Sequence, residues 1–411
     1  MRSGKTDSGL RYAVLRSGKA VAYCALSIHC GSRDEQGYHS GIAHFTEHTL
    51  FKGTSRRSAA AVSSYLDRLG GELNAYTTKE EIVLHATVLK EDLRKAEKLL
   101  MELATDPVFP EKEIETEKGV VIDEIISAKD SPADDIYDRF EELLFEGHPL
   151  GNSILGTAAS VRRISSEELR SFTRSRFTPE RIAFTVVADV DEERCEEEIK
   201  ALSDRYFRAA ADACPAEGQS LMSPPAPRRF DKTINKRNHE VNAILGSTAP
   251  SLYRENERIS AVLLSNLLGG PASNSILNRV LRERHGWVYG VECSYTQYSD
   301  SGIMAISLGC ESCNLEKCLA AIRRETARLA QEPISPGRLA AAKKQLIGQL
   351  AISSDSGETL CLSMGKSLLS FGRIASDEEN RSSIERVTEG ELREIAENVF
   401  SENNISKLIY L

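Results

Sequence analysis

Residues 44–48 of this 411-residue chain read His-Phe-Thr-Glu-His. On a helix, His44 and His48 lie one turn apart on the same face, so both imidazoles can reach one ion. Glu47 sits beside them, placed to touch a water on that ion rather than the ion itself. Zinc in a hydrolase takes three protein ligands and leaves a fourth position open, so one ligand must come from elsewhere. The acidic run Glu113–Glu124, EIETEKGVVIDE, supplies candidates. Glu117 and Glu124 are two helical turns apart and share a face. Ile114, Val121 and Ile125 form an apolar stripe that would bury this helix beside the first. The chemistry in view is hydrolysis by a metal-activated water, with Glu47 as general base.

These residues need a scaffold. The first half of the chain reads as helices over 41–51 and 59–69, ending at Gly70-Gly71. Strands follow at 72–77 and 82–89, then helices at 91–104, 111–128 and 133–145. Ser165-x-x-Glu168 has the form of a capping box opening another helix, and an apolar strand follows at 182–190. The second half repeats the order: helices over 257–268 and 274–284, strands over 288–295 and 302–308, helices over 315–330, 336–352 and 389–400, and a closing strand at 405–410. The Ala-, Ser- and Pro-rich stretch 209–227 reads as a linker between residues 1–208 and 228–411. Strand pairs separated by blocks of helices imply an α+β fold with two tandem homologous domains, each a mixed, mostly antiparallel sheet packed with helices.

Composition narrows the function classes. Hydrophobic residues make up 41% and charged residues 27%, ordinary for a globular chain. A net charge of −9 with no basic block argues against a nucleic-acid partner, and no apolar run approaches the roughly 20 residues needed to span a bilayer. The first residues, MRSGKTDSGLRYAV, resemble neither a signal peptide nor a transit peptide. A cytoplasmic location is therefore expected, and a periplasmic one only for a mature form that has lost a leader. Nine scattered cysteines fit free thiols better than a disulfide framework. Cys310, Cys313 and Cys318 form the tightest cluster, for which a structural metal or redox pair is the lesser alternative.

The motif His44-x-x-Glu47-His48, followed 76 positions later by Glu124, resembles the pitrilysin, insulinase and mitochondrial-processing-peptidase family of zinc peptidases. The resemblance covers nearly the whole chain. It implies one Zn2+ per chain on His44, His48 and Glu124, with Glu47 as base and Glu117 as a supporting acidic residue at the catalytic site. The run Gly70–Thr77, GGELNAYT, looks like the family's edge strand, where Asn74 and Ala75 would hold substrate backbone by strand addition. Leu281–Gly290, LRERHGWVYG, is similar to the family's Arg/Tyr segment, in which Arg282 and Tyr289 would bind the carbonyl side of the scissile bond. The second half has no histidine pair near 259–263 and is expected to be non-catalytic and substrate-binding. By the same resemblance, a two-domain chain pairs with a second subunit to close a chamber around a peptide. A homodimer is expected, with a heteromeric partner as the alternative.

Overall fold

The computed structural model describes residues 1–207, 229–236 and 239–411; the expected linker 209–227 lies outside them. The strands are β1 (Arg2–Lys5), β2 (Arg11–Arg16), β3 (Val21–Ile28), β4 (Glu72–Thr77), β5 (Ile82–Leu89) and β6 (Ile182–Ala188), then β7 (Asp231–Ile234), β8 (Val241–Ala249), β9 (Val288–Gln297), β10 (Gly302–Cys310) and β11 (Ser406–Tyr410). Helices of the first half are α1 (Ile42–Leu50), α2 (Ala59–Asp67), α3 (Leu93–Thr105), α4 (Glu111–Asp130), α5 (Pro132–Leu144), α6 (Ala158–Val161), α7 (Ser166–Arg176) and α8 (Glu192–Phe207). Those of the second half are α9 (Glu255–Gly269), α10 (Leu315–Gln331), α11 (Pro336–Ser354), α12 (Gly357–Phe371), α13 (Asp377–Arg386) and α14 (Glu389–Phe400).

The strands form two sheets, ordered β1-β2-β6-β3-β5-β4 and β7-β11-β8-β10-β9. Each has one parallel pair, β2 with β6 and β7 with β11; every other pairing is antiparallel. The α+β architecture in two tandem copies is thus present. Apart from β1, the copies correspond in strand order: β3, β5 and β4 match β8, β10 and β9, so β4 and β9 are equivalent sheet edges.

Two compact units result, and each takes a segment from the other half of the sequence. One holds Met1–Ile126, residues 152–207 and Ile352–Ala375; the other holds Ser127–Gly151, the described residues from 229 to 351, and Ser376–Leu411. In the first unit, α3 and α8 cover one face of the sheet and α12 covers the opposite face. β6 is consequently buried at all seven positions, as a strand covered on both faces must be. The face under α12 is built of Ala13, Ala25, Val83, Ala183 and Val187, against Cys361, Met364 and Leu368. These small residues let the helix approach closely. A Cβ on Gly365 would lie 2.5 Å from the Ser27 hydroxyl, and Thr185 Oγ1 donates to the Cys361 carbonyl at 2.9 Å. In the second unit α5 has the matching role, with Ile136, Phe140, Leu143 and Leu144 packed on Ile244, Ile303, Ala305 and Leu408.

Two local expectations change. Ser165 caps α7 by accepting from the Glu168 amide at 3.1 Å, but the Glu168 carboxylate turns away to the backbone N–H and imidazole of His39, so the reciprocal half of the capping box is not made. The segment expected as an ordinary helix over 274–284 is wound as a π-helical turn at Asn278–Arg284. Among the described residues every cysteine is a free thiol. Cys310 and Cys318 are buried, and Cys313 is exposed. No described helix is long and apolar enough to cross a membrane.

Candidate metal centre

Helix α1 buries Ile42, Ala43, Phe45 and Leu50 in the first core, which fixes the opposite run of His44, Glu47 and His48. Its entry is tight. Gly41 adopts φ +89°, and a Cβ there would meet the Leu155 carbonyl oxygen at 2.6 Å, so only glycine fits. Glycine supplies no side-chain cap, and Glu35 does so instead. Its two carboxylate oxygens accept from the Gly41 and Ala43 amides, each at 3.0 Å. Burial pushes the Glu35 carboxyl up to about 8, opposed by those two N–H donors and by Lys79.

Helix α4 lies with Ile114, Val121 and Ile125 buried, presenting Glu117 and Glu124 to α1. Glu124 Oε2 is 3.6 Å from His44 Nε2 and 3.5 Å from His48 Nε2. The three ligand atoms all lie within 4.8 Å of one another. A tetrahedral ion with bonds of roughly 2.0–2.1 Å has ligand–ligand edges of about 3.3–3.4 Å, so the cluster fits zinc with small adjustments. Burial, then the neighbouring His48, lowers the His44 imidazole to about 4, so at neutral pH it has the unprotonated nitrogen a ligand needs.

Around this cluster, His48 Nδ1 is 2.9 Å from Glu117 Oε1, and the buried Glu117 carboxylate also accepts from Lys52 Nζ at 2.5 Å. His44 Nδ1 is buried with no hydrogen-bond partner among the described residues. Glu47 Oε2 accepts from the Thr77 hydroxyl at 2.5 Å. Burial raises the Glu47 carboxyl above its ordinary range, opposed by Thr77 and His48.

Thr77 is the last residue of β4, the sheet edge packed beside α1. Asn74 is exposed and Ala75 half-buried on that strand, in register with His85 and Leu84 of β5. His44, Glu47, His48, Glu117 and Glu124 thus converge, and Asn74 and Ala75 adjoin them through the edge strand. Arg282 and Tyr289 belong to the second unit: Arg282 is exposed on the π-helical turn, and Tyr289 is 62% exposed near the start of edge strand β9. The β9–β10 register slips between Gly309 and Cys310, which face Gly290 and Val288, so Tyr289 is the extra residue of a bulge. Thr77, Lys52 and Glu35 carried no role in the sequence reading. Thr77 lies inside the run 70–77, whereas Lys52 just follows the expected helix 41–51 and nothing near Glu35 marks it.

The comparisons with known proteins agree with this geometry. Residues 11–158 match the insulinase (peptidase family M16) model, and residues 163–346 match the peptidase M16 inactive domain. An uncharacterized zinc protease of Streptomyces coelicolor is 30% identical over 381 residues, covering 90% of this chain and 81% of that protein. A zinc protease of Bacillus subtilis is 29% identical, covering 98% and 96%. A protease from Helicobacter pylori superimposes with a TM-score of 0.89 at 19% identity, covering 100% of this chain and 99% of the other. A peptidase M16 inactive domain structure from Pseudomonas fluorescens gives 0.90 at 18%, covering 100% and 97%. The chain therefore belongs to the insulinase family, peptidase family M16, as a metalloendopeptidase of the family's two-domain architecture.

Proposed function

We propose that this protein hydrolyses peptides or unfolded polypeptide segments with zinc held by His44, His48 and Glu124, and Glu47 as general base. The observation that carries the reading is the convergence of two imidazoles and one carboxylate from α1 and α4, with a second carboxylate beside them. Zinc there would polarise the scissile carbonyl and make a water nucleophilic near neutral pH. Glu47 takes the proton from the attacking water on a carboxylate oxygen and delivers it to the leaving amine. Thr77 holds the other role at Glu47, fixing the carboxylate by its 2.5 Å hydrogen bond. Glu117 orients the His48 ring.

The free edge of β4 suits an extended substrate bound through main-chain hydrogen bonds, with Asn74 and Ala75 in contact. Such binding selects conformation more than sequence, and it runs toward Glu47 because the strand ends at Thr77. Arg282 and Tyr289 act on the carbonyl side of the scissile bond, where a phenol hydroxyl stabilises the developing oxyanion. The protein works as a homodimer enclosing a chamber, in which these two residues of one protomer serve the zinc of the other, and it resides in the cytoplasm.

The test is zinc content and hydrolysis of a quenched, unstructured peptide, for wild type and Glu47→Gln side by side. One zinc per chain in both, with activity only in the wild type, supports the assignment. A variant that cleaves at the wild-type rate refutes Glu47 as base.

A further inference from the structure

We propose that Lys52 is a positioning residue for the metal centre, acting through Glu117 to hold the His48 ring in its ligating orientation. This rests on the zinc reading above and extends it to a residue outside the ligand set.

The two imidazoles are anchored unequally. His44 Nδ1 has no partner among the described residues, so its ring is placed by packing, and only 7% of the residue is exposed. His48 is more open, with 22% of its side chain exposed, and depends on the bond from Nδ1 to Glu117 Oε1 at 2.9 Å. A carboxylate only accepts, so this bond requires the proton on Nδ1 and leaves the Nε2 lone pair directed at Glu124. The Glu117 carboxylate must in turn be held. Its other oxygen meets Lys52 Nζ at 2.5 Å, and the Glu117 side chain is 8% exposed, so water replaces little of that contact.

Lys52 stands one turn beyond His48, just past the end of α1, where its ammonium meets Glu117 of α4. One cation therefore fixes both the charge balance and the rotation of the carboxylate that orients a ligand. Outer partners of metal-bound histidines change metal affinity by 10- to 100-fold. Removing Lys52 leaves Glu117 free to turn, and His48 free to adopt either tautomer.

The experiment uses the full-length protein stripped of metal. Zinc affinity is measured by competition with a chromogenic chelator for wild type, Lys52→Met, Lys52→Arg, Glu117→Gln and the Lys52→Met/Glu117→Gln pair. We expect Lys52→Met to weaken zinc binding by about tenfold or more, Lys52→Arg to stay within about threefold, and the double variant to be no weaker than Glu117→Gln alone. Ring 15N shifts of His48 in the metal-free protein should report one tautomer in the wild type and a mixture in Lys52→Met. Unchanged affinity in Lys52→Met, or losses that simply multiply in the double variant, would overturn the proposal. If Lys52→Met does not fold, the Lys52→Arg affinity and the His48 tautomer in Glu117→Gln carry the test: loss of zinc in the former or a single tautomer in the latter refutes it. A wild type that binds no zinc refutes the metal reading itself, a result distinct from these.

Discussion

Replacing Glu97 by Gln should change how the stability of the first unit depends on pH. Glu97 sits on α3, fully buried; Oε1 accepts from the Cys195 thiol at 3.7 Å, and Oε2 has no partner among the described residues. Burial, then the charge on Glu198, raises its carboxyl from 4.5 to about 8. The folded state thus binds the proton more tightly than the unfolded chain. Stability is unaffected below about pH 4.5, falls as pH rises toward 8, and levels off above it. One proton is worth about 1.4 kcal/mol per pH unit within that window, or roughly 2–3 kcal/mol between pH 5.5 and 7.5. The amide of Gln does not titrate. Its extra buried N–H group carries a pH-independent cost of about 1–3 kcal/mol, so the variant starts behind below about pH 4.5 and gains on the wild type as pH rises. Trp287, the single tryptophan, lies in the second unit, so its fluorescence is the wrong probe. Hydrogen exchange of β3 and α3 peptides in EDTA, at several pH values, reads the correct unit. A stability difference that stays constant across pH 5.5–7.5 refutes the argument.

Three further outcomes follow from the geometry. Gly41→Ala combines positive φ with a 2.6 Å approach to the Leu155 carbonyl, and should destabilise the first unit by about 1–3 kcal/mol with weaker zinc binding, measured by denaturation and chelator competition. Tyr289→Phe should lower kcat by about 10- to 100-fold with little change in KM if its hydroxyl acts on the oxyanion, as proposed, rather than on the ground state; steady-state kinetics on the quenched peptide decides. Leu368→Ala, in the α12 face that covers β3 and β6, should cost about 2–5 kcal/mol in first-unit stability by the same exchange assay, although it lies on the opposite half of the sequence.

The candidate metal-binding cluster is legible in the sequence because its spacing is short and periodic. His44, Glu47 and His48 lie within one turn and a half, and α4 shows its buried stripe at Ile114, Val121 and Ile125. Strands β4 and β5 were found with their observed bounds, since the turn at 78–81 separates two clear β patterns. Strands β2 and β3 were missed: both faces are covered, so no polar–apolar alternation marks them, and one face is largely alanine. Helix α12 was missed for the complementary reason, since Gly357, Cys361 and Gly365 fit a close helix–sheet approach and give a weak apolar stripe. Glu35 and Lys52 were not singled out because a lone charged residue reads as solvated. Their roles arise only when chain reversal brings Glu35 to the α1 amides and Lys52 to Glu117, far away in sequence.

The traded helices constrain how this chain can be made. Translation delivers α5 about a hundred residues before β8, the strand it covers, and delivers α12 well after β3 and β6 have emerged. Until residue 371 leaves the ribosome, the alanine-lined face of the first sheet has no cover, and α5 waits with Ile136, Phe140 and Leu143 unburied. Neither unit completes its core until most of the chain has been made, so the nascent polypeptide exposes sticky surface for most of its synthesis. Dividing the gene near its midpoint would separate each sheet from one of its covering helices, and the two fragments would recover a native core only when produced together.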